Sequence, residues 1–139
     1  HSTGKMGYAI ARQAMLRGAD VTLVTGKVAI TPPEFVTVVP VTSAQDMYEA
    51  VTAASADQDI IIKAAAVADY KPAEVADNKI KKKKIDMVAA NNLKTAGAGF
   101  GTDTNVLTLI TQDEDIELPQ MSKEECADRL LTQLIKMRK

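Results

Sequence analysis

Apolar positions along the chain change period several times, and each change marks a predicted element. Met6, Ile10 and Ala14, with Leu16 alongside, fall at helical spacing and predict a helix to about Arg17. Ser2 or Thr3 is placed to cap it and Gly18 to end it. Val21-Thr-Leu-Val-Thr25 then reads as a strand closed by Gly26, and Val36 to Val39 as a second strand after Pro32-Pro33. Ser43 and Asp46 have capping-box spacing, and Met47, Ala50, Val51 and Ala54 form the apolar stripe of a helix behind them. The β-branched run from Ile60 to Ala65 reads as a buried central strand.

Ile85 to Ala90 predicts another buried strand, ending in Asn91-Asn92, and Ala96 to Gly101 a loop. Asn105 to Thr111 alternates as a strand, Asp113-Glu-Asp115 turns the chain, and Ile116-Glu-Leu118 follows as a short strand. Ser122 with Glu125 is a capping box for a last helix whose stripe is Cys126, Leu130, Leu131, Leu134 and Ile135. Lys136, Arg138 and Lys139 suit the negative end of its dipole. Strands alternating with helices predict an α/β fold: a Rossmann-like three-layer sandwich whose sheet is mostly parallel with a mixed edge. The expected organisation is one domain over residues 1–139.

Composition narrows the function classes. Charged residues make up 25% of the chain and the net charge is −1, which gives no general attraction to nucleic acid or acidic membranes. Aromatic residues are only 4%, too few for base-stacking platforms, and no run approaches the length of a membrane span. Cys126 is the single cysteine, so an internal disulfide is excluded and a reducing, cytoplasmic setting is expected. On the apolar stripe of a helix, with no histidine partner near in sequence, it reads as core.

Three stretches could carry chemistry. Gly4-Lys5-Met6-Gly7 opens a helix and could hold phosphate on its amides, or serve only packing and capping. It lacks the Ser/Thr of a Walker motif, and Thr25-Gly26 stands where an NAD site wants an acidic residue. Beyond Ile60–Ile62, the small Ala64, Ala65 and Ala66 would let a ligand approach the backbone. Asp69 would stand at the rim as an acceptor for hydroxyls, or simply start a turn. The run Lys79-Ile-Lys81-Lys82-Lys83-Lys84 could neutralise a polyphosphate or be a solvated loop. No cluster has metal-ligand spacing.

In order, His1-Ser-Thr-Gly-Lys-Met-Gly7, Ala65-Ala-Val-Ala-Asp69-Tyr-Lys-Pro72, Lys79-Ile-Lys-Lys82 and Gly99-Phe-Gly-Thr-Asp-Thr-Asn105 closely resemble the phosphopantothenoylcysteine synthetases of coenzyme A biosynthesis, in their CTP-using bacterial form. The resemblance implies a ligase that joins 4′-phosphopantothenate to L-cysteine. The phosphopantothenate carboxylate attacks the α-phosphate of CTP to give an acyl-cytidylate and pyrophosphate, and the cysteine amine then displaces CMP. Mg²⁺ would arrive with the nucleotide. Ser2, Thr3 and Gly4 are implied to present amides to phosphate, Asp69 to hold the ribose, and Ala65 and Ala66 to line the substrate site. Lys79 is implied to be the catalytic lysine on a mobile flap, and Lys83 a CTP contact. A homodimer is implied, and possibly fusion to an FMN-dependent decarboxylase. FMN is expected only with that fused half.

The chain departs from the family pattern in places. It begins one residue after the family's catalytic asparagine and lacks the glycine-rich first strand. Lys82 also runs almost directly into Ile85, where the family has several dozen residues with a nucleotide loop and a lysine-bearing helix. Asn92 stands where many relatives have Asp. The departures leave two readings, a truncated inactive form or a chain from which stretches are missing, and the second is preferred because a sheet without central strands exposes its edges. The rival classes are a non-catalytic nucleotide-binding or dimer-scaffold domain, and an NAD(P)-binding domain.

Overall fold

The computed structural model describes residues 4–64, 85–91 and 104–138, which fall into two compact units divided between Ala65 and Ala66. The expected roles of Ser2, Thr3, Ala65, Ala66, Asp69, Lys79 and Lys83 therefore fall on residues outside the description, as does the lysine run.

The first unit opens with α1 (Lys5–Leu16). Its N-cap is Gly4, in the left-handed region at φ 80°, and the expected caps Ser2 and Thr3 lie outside the described residues. Glycine suits that place because it adopts positive φ without a Cβ clash. Tyr8, Ala9, Ile10 and Ala11 are buried, so the covered part of the helix is its middle. Met6 and Ala14 from the predicted stripe are half-buried, and Leu16 is 61% exposed. Leu16 lies in the last turn, directly before the chain reverses at Gly18 (φ 91°), which ends the helix as predicted.

Strand β1 (Thr22–Thr25) pairs in parallel with β2 (Thr37–Pro40), Leu23 opposite Val38 and Val24 opposite Val39. Helix α2 (Ala44–Ser55) follows, and its capping box is formed as predicted. The Asp46 backbone N–H donates to Ser43 Oγ at 3.0 Å, while Asp46 Oδ2 accepts from Thr42 Oγ1 at 2.7 Å and Ser43 N at 3.2 Å. The stripe Met47, Ala50, Val51 and Ala54 is the inward side of α2, but each of these residues is only half-buried. One expectation fails here. Residues 60–64 form no strand, and Ile60, Ile61 and Ile62 are 36%, 58% and 38% exposed. β-branched residues favour a strand only where a neighbour supplies a ladder and a covering face, and the described residues supply neither.

The second unit is antiparallel. Strand β3 (Val88–Asn91) pairs with β5 (Leu107–Ile110), which pairs in turn with β6 (Asp115–Glu117). Ile85, expected to begin β3, lies before the ladder and is 37% exposed. The β5–β6 turn is tied by Thr111, whose hydroxyl accepts from Glu114 N and donates to Glu114 O, both at 3.1 Å. Two further short strands, β4 (Thr104–Asn105) and β7 (Met121–Ser122), pair antiparallel beside α3 (Lys123–Met137). Ser122 caps α3 as the sequence predicts, its Oγ accepting from Glu125 N at 3.1 Å. The Glu125 carboxylate, however, accepts from the Ser122 hydroxyl at 3.3 Å in place of the backbone N–H that a full capping box uses. Cys126, Ala127, Leu130 and Leu131 are buried, whereas Leu134 is half-buried and Ile135 is 50% exposed. The stripe thus loses its cover over the last turn.

The parallel pair of the first unit and the antiparallel strands of the second give the mixed α/β character expected. Among the described residues no helix is long and apolar enough to cross a membrane.

Candidate functional site

In the first unit, three segments distant in sequence meet at the start of α1. The first is the turn from Gly4 to Tyr8, closed by the Tyr8 N–H donating to the Gly4 carbonyl at 2.9 Å. The second is the carboxyl end of β1 and the residues after it. A Cβ added at Gly4 would lie 3.2 Å from Val28 Cγ1, so the chain beyond β1 is pressed against the helix cap. The third is the end of the isoleucine run, because a Cβ at Gly7 would lie 3.3 Å from the Cβ of Ala64. Glycine at both positions permits these approaches, and the small Ala64 completes the second.

A hydrogen bond ties the first two segments together. The Tyr8 hydroxyl lies 3.0 Å from Thr25 Oγ1, and Thr25 Oγ1 donates to the Gly26 carbonyl at 3.0 Å. Threonine has one hydroxyl proton, so with that proton on Gly26 the Tyr8 hydroxyl is the donor. Nothing local in the sequence pairs these two residues, since Thr25 stands out there only as a non-acidic residue at a strand end. The contact's one signal is the place of Tyr8, a turn beyond Gly4, where a helical side chain leans back toward the N-terminus.

Of the predicted site residues, Gly4 is the one described, and it sits at the cap where these segments meet. Such a place can attract an anion, since the first-turn N–H groups and the helix dipole present positive charge there. The remaining predicted site residues are in segments that lead into or follow this place in sequence. In the second unit Cys126 is buried, and burial pushes its thiol pKa up, the expected state of a core thiol rather than a nucleophile. Among the described residues no group of three or more His, Cys, Asp or Glu could hold a metal ion.

A helix starting at the carboxyl end of a parallel strand is the arrangement of the Rossmann-like α/β proteins, whose ligands bind at that edge. The chain belongs, within that class, to the family of the DNA/pantothenate metabolism flavoprotein C-terminal domain, whose sequence model matches residues 1–84 and 76–137. It is 34% identical to the coenzyme A biosynthesis bifunctional protein CoaBC of Vibrio vulnificus (strain YJ016), over 185 residues that cover 96% of the chain and 46% of that protein. With CoaBC of Bacillus subtilis (strain 168) it shares 34% identity over 188 residues, covering 99% of the chain and 46% of the relative. The chain thus spans about half the length of the curated relatives it matches.

Among solved structures, the C-terminal domain of a CoaBC protein superposes with a TM-score of 0.88 at 42% identity, covering 98% of this chain and 85% of that one. The DNA/pantothenate metabolism flavoprotein from Streptococcus pneumoniae shares the fold at 18% identity, with a TM-score of 0.80 and coverage of 98% and 88%. Both support the Rossmann-like reading of the fold. The alignments also run over 185 and 188 residues although this chain has 139, so the relatives carry several dozen positions without a counterpart here.

Proposed function

We propose that the chain is a phosphopantothenate–cysteine ligase domain of coenzyme A biosynthesis, using CTP. The observation that carries this reading is the likeness to the CoaBC C-terminal domain, at 42% identity over 98% of the chain. The turn at Gly4, pressed between Val28 and the Tyr8–Thr25 bond, supports it as a place for phosphate. In this reading the 4′-phosphopantothenate carboxylate attacks the α-phosphate of CTP, pyrophosphate leaves, and the cysteine amine displaces CMP from the acyl-cytidylate. Ser2, Thr3 and Gly4 hold phosphate through their amides, Asp69 accepts from the ribose hydroxyls, and Ala65 and Ala66 let the substrate approach the backbone. Lys79 supplies positive charge as the transition state develops, with Lys83 as a further nucleotide contact. Mg²⁺ belongs to the nucleotide, as part of the substrate. The working form is a cytoplasmic homodimer, and FMN belongs only to a fused decarboxylase half.

The positions that the relatives carry and the chain lacks fall, in our reading, near Lys82–Ile85. The two matches of the family model overlap at residues 76–84, which supports this junction. The same observation favours the second reading, a nucleotide-binding or scaffold domain that does not turn over. Calorimetric titration with CTP and 4′-phosphopantothenate, followed by a cysteine-dependent CMP-release assay, separates them. CMP release establishes the ligase. CTP binding without release leaves the scaffold, and no CTP binding overturns both.

A further inference from the structure

We propose that the Tyr8–Thr25 hydrogen bond is a positioning contact that fixes the first turn of α1 against the carboxyl end of β1, so that this turn keeps a set place for a phosphate group. The proposal rests on the reading of α1's first turn as the phosphate-holding element.

Three observations carry it. First, Tyr8 is buried to 8% exposure, and its hydroxyl spans between two elements that are far apart in sequence, 3.0 Å from Thr25 Oγ1. A buried phenol that fills space needs only a ring, whereas this one delivers its proton to a specific acceptor. Second, the bond has a continuation. Thr25 Oγ1 also lies 3.0 Å from the Gly26 carbonyl, and with the threonine proton given to that carbonyl the Tyr8 hydroxyl is the donor. The chain Tyr8 to Thr25 to Gly26 thereby secures the residue at which β1 ends and the following segment departs. Third, both ends of this chain lie beside the close approaches of the turn. The Tyr8 N–H closes onto the Gly4 carbonyl at 2.9 Å, and Val28, two residues beyond Gly26, packs on Gly4.

Gly4 caps the helix at φ 80°, a conformation that glycine enters and leaves without a Cβ penalty. The Tyr8–Thr25 bond adds a restraint one turn further along the helix. Displacement of the turn by even an ångström would spoil several weak amide–phosphate contacts together.

The test uses the full chain, inorganic pyrophosphate as the probe, and the variants Tyr8→Phe, Thr25→Val and Thr25→Ser. Tyr8→Phe and Thr25→Val are expected to weaken pyrophosphate binding about three- to tenfold, the loss of one neutral hydrogen bond. Both should also speed hydrogen exchange at the Tyr8 amide. Thr25→Ser restores the acceptor and should return both readouts to within about twofold of the parent. A lowered melting temperature with unchanged pyrophosphate affinity would make the bond a packing contact and overturn the proposal. If the parent chain binds no pyrophosphate, the nucleotide reading of this turn fails. Amide exchange then decides the positioning role alone: faster exchange in Tyr8→Phe and Thr25→Val, with parental exchange in Thr25→Ser, sustains it, and unchanged exchange overturns it.

Discussion

The two units bury their apolar residues very differently. In the second, Leu109 and Ile110 are 1% exposed and Cys126 and Ala127 are fully buried. Among the described residues of the first, burial below a tenth is confined to Tyr8–Ala11 of α1, α2 has no buried residue, and the isoleucines at 60–62 are open to solvent. Both units are rich in β-branched and aliphatic residues, so composition does not make the difference. The second unit has a central strand with an antiparallel neighbour on each side, while the first has one parallel pair among its described residues. A residue's apolarity stabilises the fold only when a partner removes it from water. The candidate site lies in the less buried unit, where close backbone approaches rather than a thick core set the geometry.

The sharpest way to break this contrast is to remove the same side chain from each unit. Ile110→Ala takes away a fully buried residue packed against Val88 and Ala90, and should cost about 2–5 kcal/mol by denaturant titration. A loss below about 1 kcal/mol would show that Ile110 is not part of a packed core in solution.

Gly4→Ala places a Cβ at positive φ and 3.2 Å from Val28 Cγ1. It should cost about 1–2 kcal/mol, measured by thermal unfolding, because left-handed backbone is strained for any residue with a Cβ. An unaffected melting temperature would show that the cap does not need glycine.

Ser43→Ala removes the acceptor of the α2 capping box and should cost about 1 kcal/mol. Asp46 adds a pH dependence of defined sign. Hydrogen bonds from the Thr42 side chain, then the Thr42 backbone and Ser43, hold its carboxyl below the ordinary value of 3.8. Its contribution is therefore complete above about that value and is lost as pH falls through the lowered folded one. Asp46→Asn should flatten the acid limb of the stability curve, and an unchanged limb would refute the link.

The buried Cys126 thiol works in the opposite direction. Burial raises its pKa, so stability should begin to fall as pH rises past the ordinary thiol value of 9.0, where the unfolded chain ionises first. Reaction with a thiol reagent below that pH should follow unfolding rather than precede it.

The smallest effect closes the comparison. Ile61→Ala, at 58% exposure, should change stability by less than about 0.5 kcal/mol despite deleting the same atoms as Ile110→Ala. A cost comparable to that of Ile110→Ala would show that residues 60–64 are covered in solution.

Local signals were legible where the interaction itself is local. The capping residues Ser43 with Asp46 and Ser122 with Glu125, the stop at Gly18, and the order of helices and strands all follow from groups a few residues apart. Gly4 was legible as a candidate phosphate residue because its motif is contiguous. The bond from Tyr8 to Thr25 was not legible, since seventeen residues separate its partners and neither type announces the other.

Sequence by itself determined which segments could be helix or strand, where α2 and α3 begin, and the family whose motifs the chain carries. Tertiary structure alone decided which apolar segments are used. Two short apolar runs meet different fates: Leu107–Ile110 is paired on both sides with Leu107, Leu109 and Ile110 buried, while Ile60–Ile62 finds no ladder among the described residues and stays exposed. It also placed Gly4, at φ 80°, as the α1 cap against Val28. Propensity is a property of a residue and its neighbours in sequence. Burial and hydrogen bonding between distant segments exist only once the chain has brought them together.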